Sequence, residues 1–184
     1  RDSPYPRNGG KYLVQYVRYN DRGLRLHDFG RLEVDLQQYV GFFNRRRVLA
    51  FRGRTILTDR SSGNTVPFYL QPVLGGSDEL RGFRPFRFTD NNMLVLNAEY
   101  RWEAFSALDM ALFADAGKVF ARRGELNFRG LKESAGFGFR FNARERVFMR
   151  LDVGFSREGY QVWFKFNDVF GPRLLGTAGA QPVL

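Results

Sequence analysis

The segment that decides the fold is residues 160–170, YQVWFKFNDVF, in which apolar and polar side chains alternate. One parity of this segment carries the apolar residues Tyr160, Val162, Phe164, Phe166 and Phe170. The other parity carries polar residues such as Gln161 and Lys165. Successive side chains of a β-strand point to opposite faces, so this strand would have one apolar, aromatic face and one polar face. That alternation is typical of a strand in a transmembrane β-barrel.

The same alternation recurs along the chain with its apolar parity maintained. The further segments lie at about 29–43, 49–58, 94–102, 110–116, 135–141 and 149–155, with a weaker one at 11–20. Turn-forming residues separate these segments, and short and long connections tend to alternate, as they do in outer-membrane barrels. The count predicts about eight strands in an antiparallel, up-and-down order.

Parity alone does not say which face of such a barrel points inward. A water-soluble barrel would place its apolar side chains inside, and a transmembrane barrel would place them outside. The polar parity includes Gly136, Gly138 and Gly154. On a water-facing surface these glycines would only weaken the strands, whereas in a lumen they make room for something inside. The prediction is therefore an all-β, antiparallel, up-and-down transmembrane β-barrel in contact with the lipid bilayer.

Composition leaves a second interpretation of the basic character open. The 184 residues carry a net charge of +10 and 20 phenylalanines. Positive charge attracts lipid headgroup phosphates or nucleic acid. A basic, soluble β-protein that binds nucleic acid would need arginines and aromatic residues on one face. Here they take opposite parities, so we predict no nucleic-acid partner.

No enzymatic, metal or cofactor site is predicted. The chain has no cysteine and one histidine, His27, so a zinc site is improbable. No serine lies at a spacing from His27 that would indicate nucleophilic catalysis. We interpret His27 as a turn or interfacial residue.

Residues 59–92 are the only long stretch without a repeating pattern. They contain Pro67, Pro72, Pro85 and the pair Gly75-Gly76, together with several phenylalanines and arginines. A connection of this length inside a compact domain is usually functional or disordered. Its composition predicts an ordered, functional loop.

Four short motifs occur in a fixed order in and after this loop. They are GGSDELRGF at 75–83, EYRW at 99–102, FADAG at 113–117 and GFGFR at 136–140. With the aromatic last strand, they resemble the C-terminal barrel region of the BamA/TamA-like outer-membrane assembly superfamily, also called the bacterial surface antigen family. The resemblance covers roughly residues 67–170.

The resemblance implies a site inside the barrel. In the family, an Arg-Gly-Phe/Tyr motif lies at the tip of the longest loop, which folds back into the lumen. The matching residues are Arg81, Gly82 and Phe83. A Phe-x-Asp-x-Gly motif on a later strand supplies a carboxylate to that arginine, and it matches Phe113, Asp115 and Gly117.

The residues support this pairing by a separate route. Asp115 falls on the polar parity of its strand, so its side chain should point into the lumen. A confined arginine needs a carboxylate partner, since an unpaired charge there is costly. Glu99 and Asp152 face the same way and are reserve partners.

The resemblance also implies a function and a location. The protein would be an integral protein of the bacterial outer membrane that inserts or translocates client outer-membrane or secreted proteins. A lateral seam between the first and last strands would template client strands, and the seam strand here is residues 160–170. The alternative is a passive structural barrel or pore.

The strand count predicts a partial barrel. The interior of an eight-stranded barrel is filled by its own side chains and has no room for a loop of this length, and the family barrel has sixteen strands. If Arg81 reaches Asp115, residues 1–170 should form half of a larger barrel. A second copy of the chain or upstream sequence would supply the other half. Residues 171–184 are predicted to form a tail.

Overall fold

Eight long antiparallel strands and one small hairpin make up the computed structural model. It describes residues 6–20, 23, 27–44, 46–60, 63–143 and 146–166. The strands are β1 Gly9–Tyr19, β2 Phe29–Phe42, β3 Arg47–Arg60, β4 Val73–Leu74, β5 Phe88–Thr89, β6 Asn92–Phe105, β7 Leu108–Phe120, β8 Lys132–Ala143, β9 Arg146–Ser156 and β10 Gly159–Phe166. Most long strands extend beyond the predicted segments, because hydrogen-bonded pairing continues past the alternating residues.

The long strands form a single sheet with the order β1-β2-β3-β6-β7-β8-β9-β10. Each strand pairs with its neighbours in sequence, apart from the β4–β5 hairpin, which lies in the connection between β3 and β6. Among the described residues, β1 pairs only with β2 and β10 only with β9. The sheet is therefore open at both edges. This confirms the predicted eight-stranded, up-and-down arrangement and its partial-barrel character.

The apolar parity of the sheet faces outward and the polar parity faces inward. Phe51 and Phe155, on the outward parity of β3 and β9, are 50% and 49% exposed. On the inward parity, Arg140 and Asp152 are each 1% exposed. A surface that exposes large apolar side chains while burying charged ones matches a barrel whose outer solvent is lipid. This confirms the predicted transmembrane orientation of the two faces.

The main apolar core lies on the inner face of this sheet. Leu74, Leu80 and Phe83 from the β3–β6 connection pack against Ile56, Met93 and Val95. We call the connection, residues 61–91, the lumen loop. It also contains a short 3₁₀ turn, Phe68–Leu70, and the β4–β5 hairpin.

Two of the predictions concern residues that lie outside the described part of the chain. Phe170 and the predicted tail at 171–184 lie outside the described residues. Within the part of the chain that the structure describes, no helix is long and apolar enough to cross a membrane.

Candidate functional site

The lumen loop places Arg81 against the inner face of β6 and β7. The core formed by Leu74, Leu80 and Phe83 fixes the loop on the sheet, with Arg81 between Leu80 and Phe83 in sequence. Leu80 is fully buried and Phe83 is 4% exposed. Because Leu80 and Phe83 on either side of Arg81 are both buried against the sheet, the Arg81 guanidinium also lies in the lumen.

Arg81 binds Asp115 with both its backbone and its side chain. The backbone N–H and Nε donate to Asp115 Oδ2 at 3.1 and 2.9 Å, and Nη2 donates to Oδ1 at 2.7 Å. The guanidinium thus engages both carboxylate oxygens, which fixes orientation as well as position. Arg81 is 4% exposed and Asp115 is 2% exposed, so the pair is almost completely removed from solvent.

Glu99 provides a second carboxylate to Arg81. Arg81 Nη1 donates to Glu99 Oε2 at 2.5 Å, and Arg140 Nη2 donates to the same oxygen at 3.2 Å. Burial by itself would lower the pKa of Arg81, but the hydrogen bond to Asp115 and the nearby charge of Glu99 outweigh it and raise this pKa. Arg81 therefore stays charged despite its burial.

Asp152, the other reserve carboxylate, is not brought to Arg81. It accepts a hydrogen bond from Arg140 Nη1 at 2.6 Å and pairs with Arg150. Since Arg140 also reaches Glu99, Asp152 belongs to the same chain of alternating charges one step further along the sheet. It holds Arg140, and Arg140 in turn contacts the carboxylate that binds Arg81.

Phe113 lies directly beneath the guanidinium of Arg81. The Arg81 Cζ atom is 3.4 Å from the centroid of the Phe113 ring. Phe113 has the inward parity of β7, although it is apolar, and it is 5% exposed. The face of an aromatic ring attracts a cation, and this attraction strengthens where water is excluded. The Arg81 side chain is thus held by a carboxylate at its end and by a ring below its plane.

We expect Phe113→Leu to lower the free energy of unfolding by about 1–2 kcal/mol, because the cation–π contact is lost while much of the apolar volume stays. Chemical unfolding in detergent measures this. Phe137→Leu is the matched control, since Phe137 faces outward on the adjacent strand and is 38% exposed. Equal losses for the two variants would show that the Arg81–Phe113 contact contributes nothing specific.

The glycines of the lumen face let the loop backbone approach the sheet. A Cβ atom at Gly154 would collide with the carbonyl group of Arg81 and lie 2.8 Å from the backbone nitrogen of Gly82. A Cβ atom at Gly82 would lie 2.6 Å from Ser134 Cβ and 2.7 Å from the Phe155 carbonyl oxygen. The sequence predicted that Gly136, Gly138 and Gly154 make room in the lumen. The Arg81-Gly82 backbone occupies the space at Gly154, whereas a Cβ at Gly136 would meet Phe113 and one at Gly138 would meet Asp152 and Arg140. Gly117 makes similar space on β7, where its Cβ would lie 3.3 Å from Leu74.

Several contacts of the motif were missed by the sequence analysis. Trp163 Nε1 donates to the Arg81 carbonyl oxygen at 2.7 Å, and Ser156 Oγ donates to the Gly82 carbonyl oxygen at 2.8 Å. Asn97 Nδ2 donates to Asp115 Oδ1 at 2.9 Å and to the Glu79 carbonyl oxygen at 2.8 Å. For Trp163 a signal was present: it is a large aromatic residue on the polar parity of the last strand.

The remaining predicted residues lie elsewhere. Tyr160, Val162, Phe164 and Phe166 are on the outward parity of β10 and are 44–73% exposed. His27 Nδ1 lies 3.0 Å from the Thr65 carbonyl oxygen, at the start of the lumen loop. Among the described residues, no group of three or more His, Cys, Asp or Glu side chains is arranged to hold a metal ion.

Comparison with known proteins supports one assignment. A family model, the Omp85 superfamily domain, matches residues 1–167. Among solved structures, the chain is similar to BamA from Haemophilus ducreyi lacking POTRA domains 1–3, with a TM-score of 0.70 and 16% sequence identity. The match covers 89% of this chain and 38% of that one, so the chain spans well under half of the BamA structure, and at this identity the likeness concerns the fold. No curated protein matches.

Proposed function

The chain belongs to the Omp85 superfamily, and on that premise we propose that it forms part of a barrel that inserts or translocates other proteins at the bacterial outer membrane. The family and the barrel fold support insertion or transport of outer-membrane proteins at the level of the superfamily. The observation that carries the proposal for this chain is a loop bound by Arg81 inside an open sheet.

The unpaired edges of the sheet support the proposal of a lateral seam between the first and last strands. β1 and β10 each present one edge without a partner among the described residues. Unpaired strand edges template the addition of another strand through backbone hydrogen bonds. The proposed mechanism uses such an edge to pair with a client strand, with the outward residues of β10 facing lipid. It requires no nucleotide or cofactor.

The presence of the loop in the lumen supports the proposal that the complete barrel has more than eight strands. An eight-stranded barrel has an interior filled by its own side chains. Here the lumen side also holds Leu74, Leu80, Arg81 and Phe83 from the loop, all of them buried. The eight strands are therefore proposed to be half of a wider barrel, completed by further strands of the same protein or by a second copy. Native mass spectrometry in detergent separates these two sources.

The distribution of charge argues against nucleic-acid binding. Arg52 pairs with Asp35 and Arg54 with Glu33, and these ion pairs lie on the inward face. The exposed aromatic side chains of the strands lie mainly on the outward face. A stacking platform for single strands would combine the two on one surface.

A folding assay with liposomes tests the proposed function. The protein is reconstituted in vesicles of phosphatidylethanolamine and phosphatidylglycerol, and a urea-unfolded eight-stranded outer-membrane barrel protein is added as the client. We expect the client to become protease-resistant at least about tenfold faster than in empty vesicles, a difference in barrier of about 1.4 kcal/mol.

The assay also separates the passive alternative. Asp115→Asn should reduce the acceleration because it weakens the hold on the loop. Client folding at the rate of empty vesicles, together with stable single-channel conductance across a planar bilayer, would instead establish a passive pore.

A further inference from the structure

The lumen loop contacts β10, the strand at the open edge of the sheet, at two points on the inward face. Trp163 Nε1 donates to the Arg81 carbonyl oxygen at 2.7 Å, and Lys165 pairs with Asp78. Trp163 and Lys165 alternate with the outward residues of β10, so both point into the lumen. The loop thus reaches from β7, through Asp115, to the last described strand.

Two more contacts join the loop to the turn that leads into β10. Ser156 Oγ donates to the Gly82 carbonyl oxygen at 2.8 Å, and Arg87 Nε donates to Glu158 Oε2 at 2.8 Å. Ser156 ends β9 and Glu158 lies in the turn before Gly159. The loop is therefore attached at the start of β10 as well as along its inner face.

These attachments matter more for β10 than for an interior strand. Among the described residues, β10 is hydrogen-bonded on one side only, to β9. Strands such as β7 and β8 have two neighbours each. An edge strand opens at a lower free energy than a strand inside the sheet. Contacts from the loop thus add to the pairing with β9 in holding β10 in place.

We infer that Trp163 and Lys165 are positioning residues that couple the lumen loop to β10. While Arg81 is bound to Asp115, the loop holds β10 in the sheet, and release of Arg81 frees the β10 edge. The coupling acts in both directions, so pairing of β10 with an incoming strand weakens the hold on Arg81. This inference rests on the proposed function and names the loop as the element that regulates the seam.

Asp115 and β10 are too far apart to contact each other directly. Asp115 lies on β7, and β8 and β9 lie between β7 and β10. Three strand spacings correspond to about 14 Å along the sheet. A change at Asp115 that alters β10 must therefore be transmitted, and the loop contacts both sites directly.

Hydrogen exchange measured by mass spectrometry on the protein in lipid nanodiscs tests the coupling. We expect Asp115→Asn to raise the exchange rates of β10 amides by about fivefold, the effect of losing about one net hydrogen bond. In a Trp163→Phe/Lys165→Gln background, whose β10 exchange is already raised, Asp115→Asn should add nothing further in β10. Such non-additivity between distant residues is the signature of coupling.

Two variants serve as controls. Gln161→Ala changes the same face of β10, at a residue for which the described part of the chain shows no hydrogen bond or ion pair to the loop, and it should leave the effect of Asp115→Asn on β10 intact. Exchanging the charges, Lys165→Asp with Asp78→Lys, should restore the exchange rates that Lys165→Asp alone raises. Rescue of this kind is not expected from general destabilisation.

The outcomes that overturn the inference are specific. One is unchanged β10 exchange in Asp115→Asn, and another is an equal increase with and without the Trp163 and Lys165 contacts. If Asp115→Asn does not fold, Lys165→Gln alone gives the reciprocal result, since it removes only a partly exposed pair. It should raise exchange at residues 78–82, and unchanged loop exchange contradicts the coupling.

The measurement is independent of client insertion. A protein that shows the coupling but inserts no client contradicts the proposed function and leaves the attachment of β10 to the loop established. A protein that inserts clients normally with additive exchange effects contradicts the inference and leaves the proposed function standing.

Discussion

Arg81→Ala is expected to lower the free energy of unfolding by about 3–5 kcal/mol, the cost of removing one partner of a buried ion pair. Without the Arg81 guanidinium, the side chain of Asp115, which is 0% exposed, loses its charged partner and two of the three hydrogen bonds that Arg81 donates to it. The backbone N–H of residue 81 remains, so alanine would retain one of the three if the loop stayed in place. Urea unfolding in detergent, followed by tryptophan fluorescence, measures the change.

Asp115→Ala should have an effect of similar size, because it leaves the guanidinium of Arg81 with Glu99 as its remaining carboxylate partner. The double variant should cost less than the sum of the single ones, since both remove the same interaction. We also expect client insertion to fall in both single variants, as a loop that is no longer held cannot position the strands around it.

Arg87→Ala is the matched control for Arg81→Ala. Arg87 belongs to the same loop and pairs with Glu158, but its side chain is 49% exposed. Exposed ion pairs are screened by water and contribute little to stability, so a small effect is expected. If Arg81→Ala and Arg87→Ala unfold alike and insert clients like the parent, the buried pair does not hold the loop.

Gly154→Ala is expected to force the loop tip away from β9. The added Cβ would collide with the carbonyl group of Arg81 and lie 2.8 Å from the backbone nitrogen of Gly82. These are backbone atoms, which cannot rotate aside as the end of a side chain can. Overpacking of this kind costs about 1–3 kcal/mol. The ion pair of Arg81 and the hydrogen bond from Trp163 should weaken together.

Limited proteolysis with trypsin reports the position of the loop. Arg81 is 4% exposed in the parent and should resist cleavage, whereas in Gly154→Ala the bond after Arg81 should be cut, and mass spectrometry identifies the site. Gly53→Ala is the control, since Gly53 faces outward on β3 and an added Cβ would make only an ordinary contact of 3.8 Å with Leu96. Equal protection of Arg81 in Gly154→Ala and Gly53→Ala would mean that the loop tolerates the added methyl group.

The alternation of apolar and polar residues was sufficient to predict much of the fold. Alternation located the strands of the sheet, and it placed residues such as Asp115 and Glu99 on one face. It failed where a residue departs from the polar-inward pattern: Phe113 and Trp163 are aromatic yet face the lumen, and both contact Arg81. A prediction based on polarity alone would place such aromatic residues on the outward face, although their contacts with Arg81 explain why they face the lumen.

The family resemblance named Asp115 as the partner of Arg81, but the alternation of polar residues by itself did not rank the carboxylates of the lumen face. Asp115, Glu99 and Asp152 share a face, and all three were candidates for Arg81. In the structure, Asp115 and Glu99 bind Arg81, whereas Asp152 binds Arg140 and Arg150. This choice depends on the path of the loop, which is set by the packing of Leu74, Leu80 and Phe83 on the sheet.

The sequence by itself determined the strands, their number and which side chains share a face, because a strand has a side-chain period of two that requires no knowledge of its neighbours. Only the tertiary structure decided that the loop also contacts β10, through Trp163 and Lys165, and that Glu99 joins Asp115 in binding Arg81. These depend on contacts between residues far apart in the chain, such as Arg81 with Trp163. Periodicity shows that the two faces differ, and the inward glycines indicate which face encloses the lumen, but which side chains meet there depends on how the lumen loop packs against the sheet.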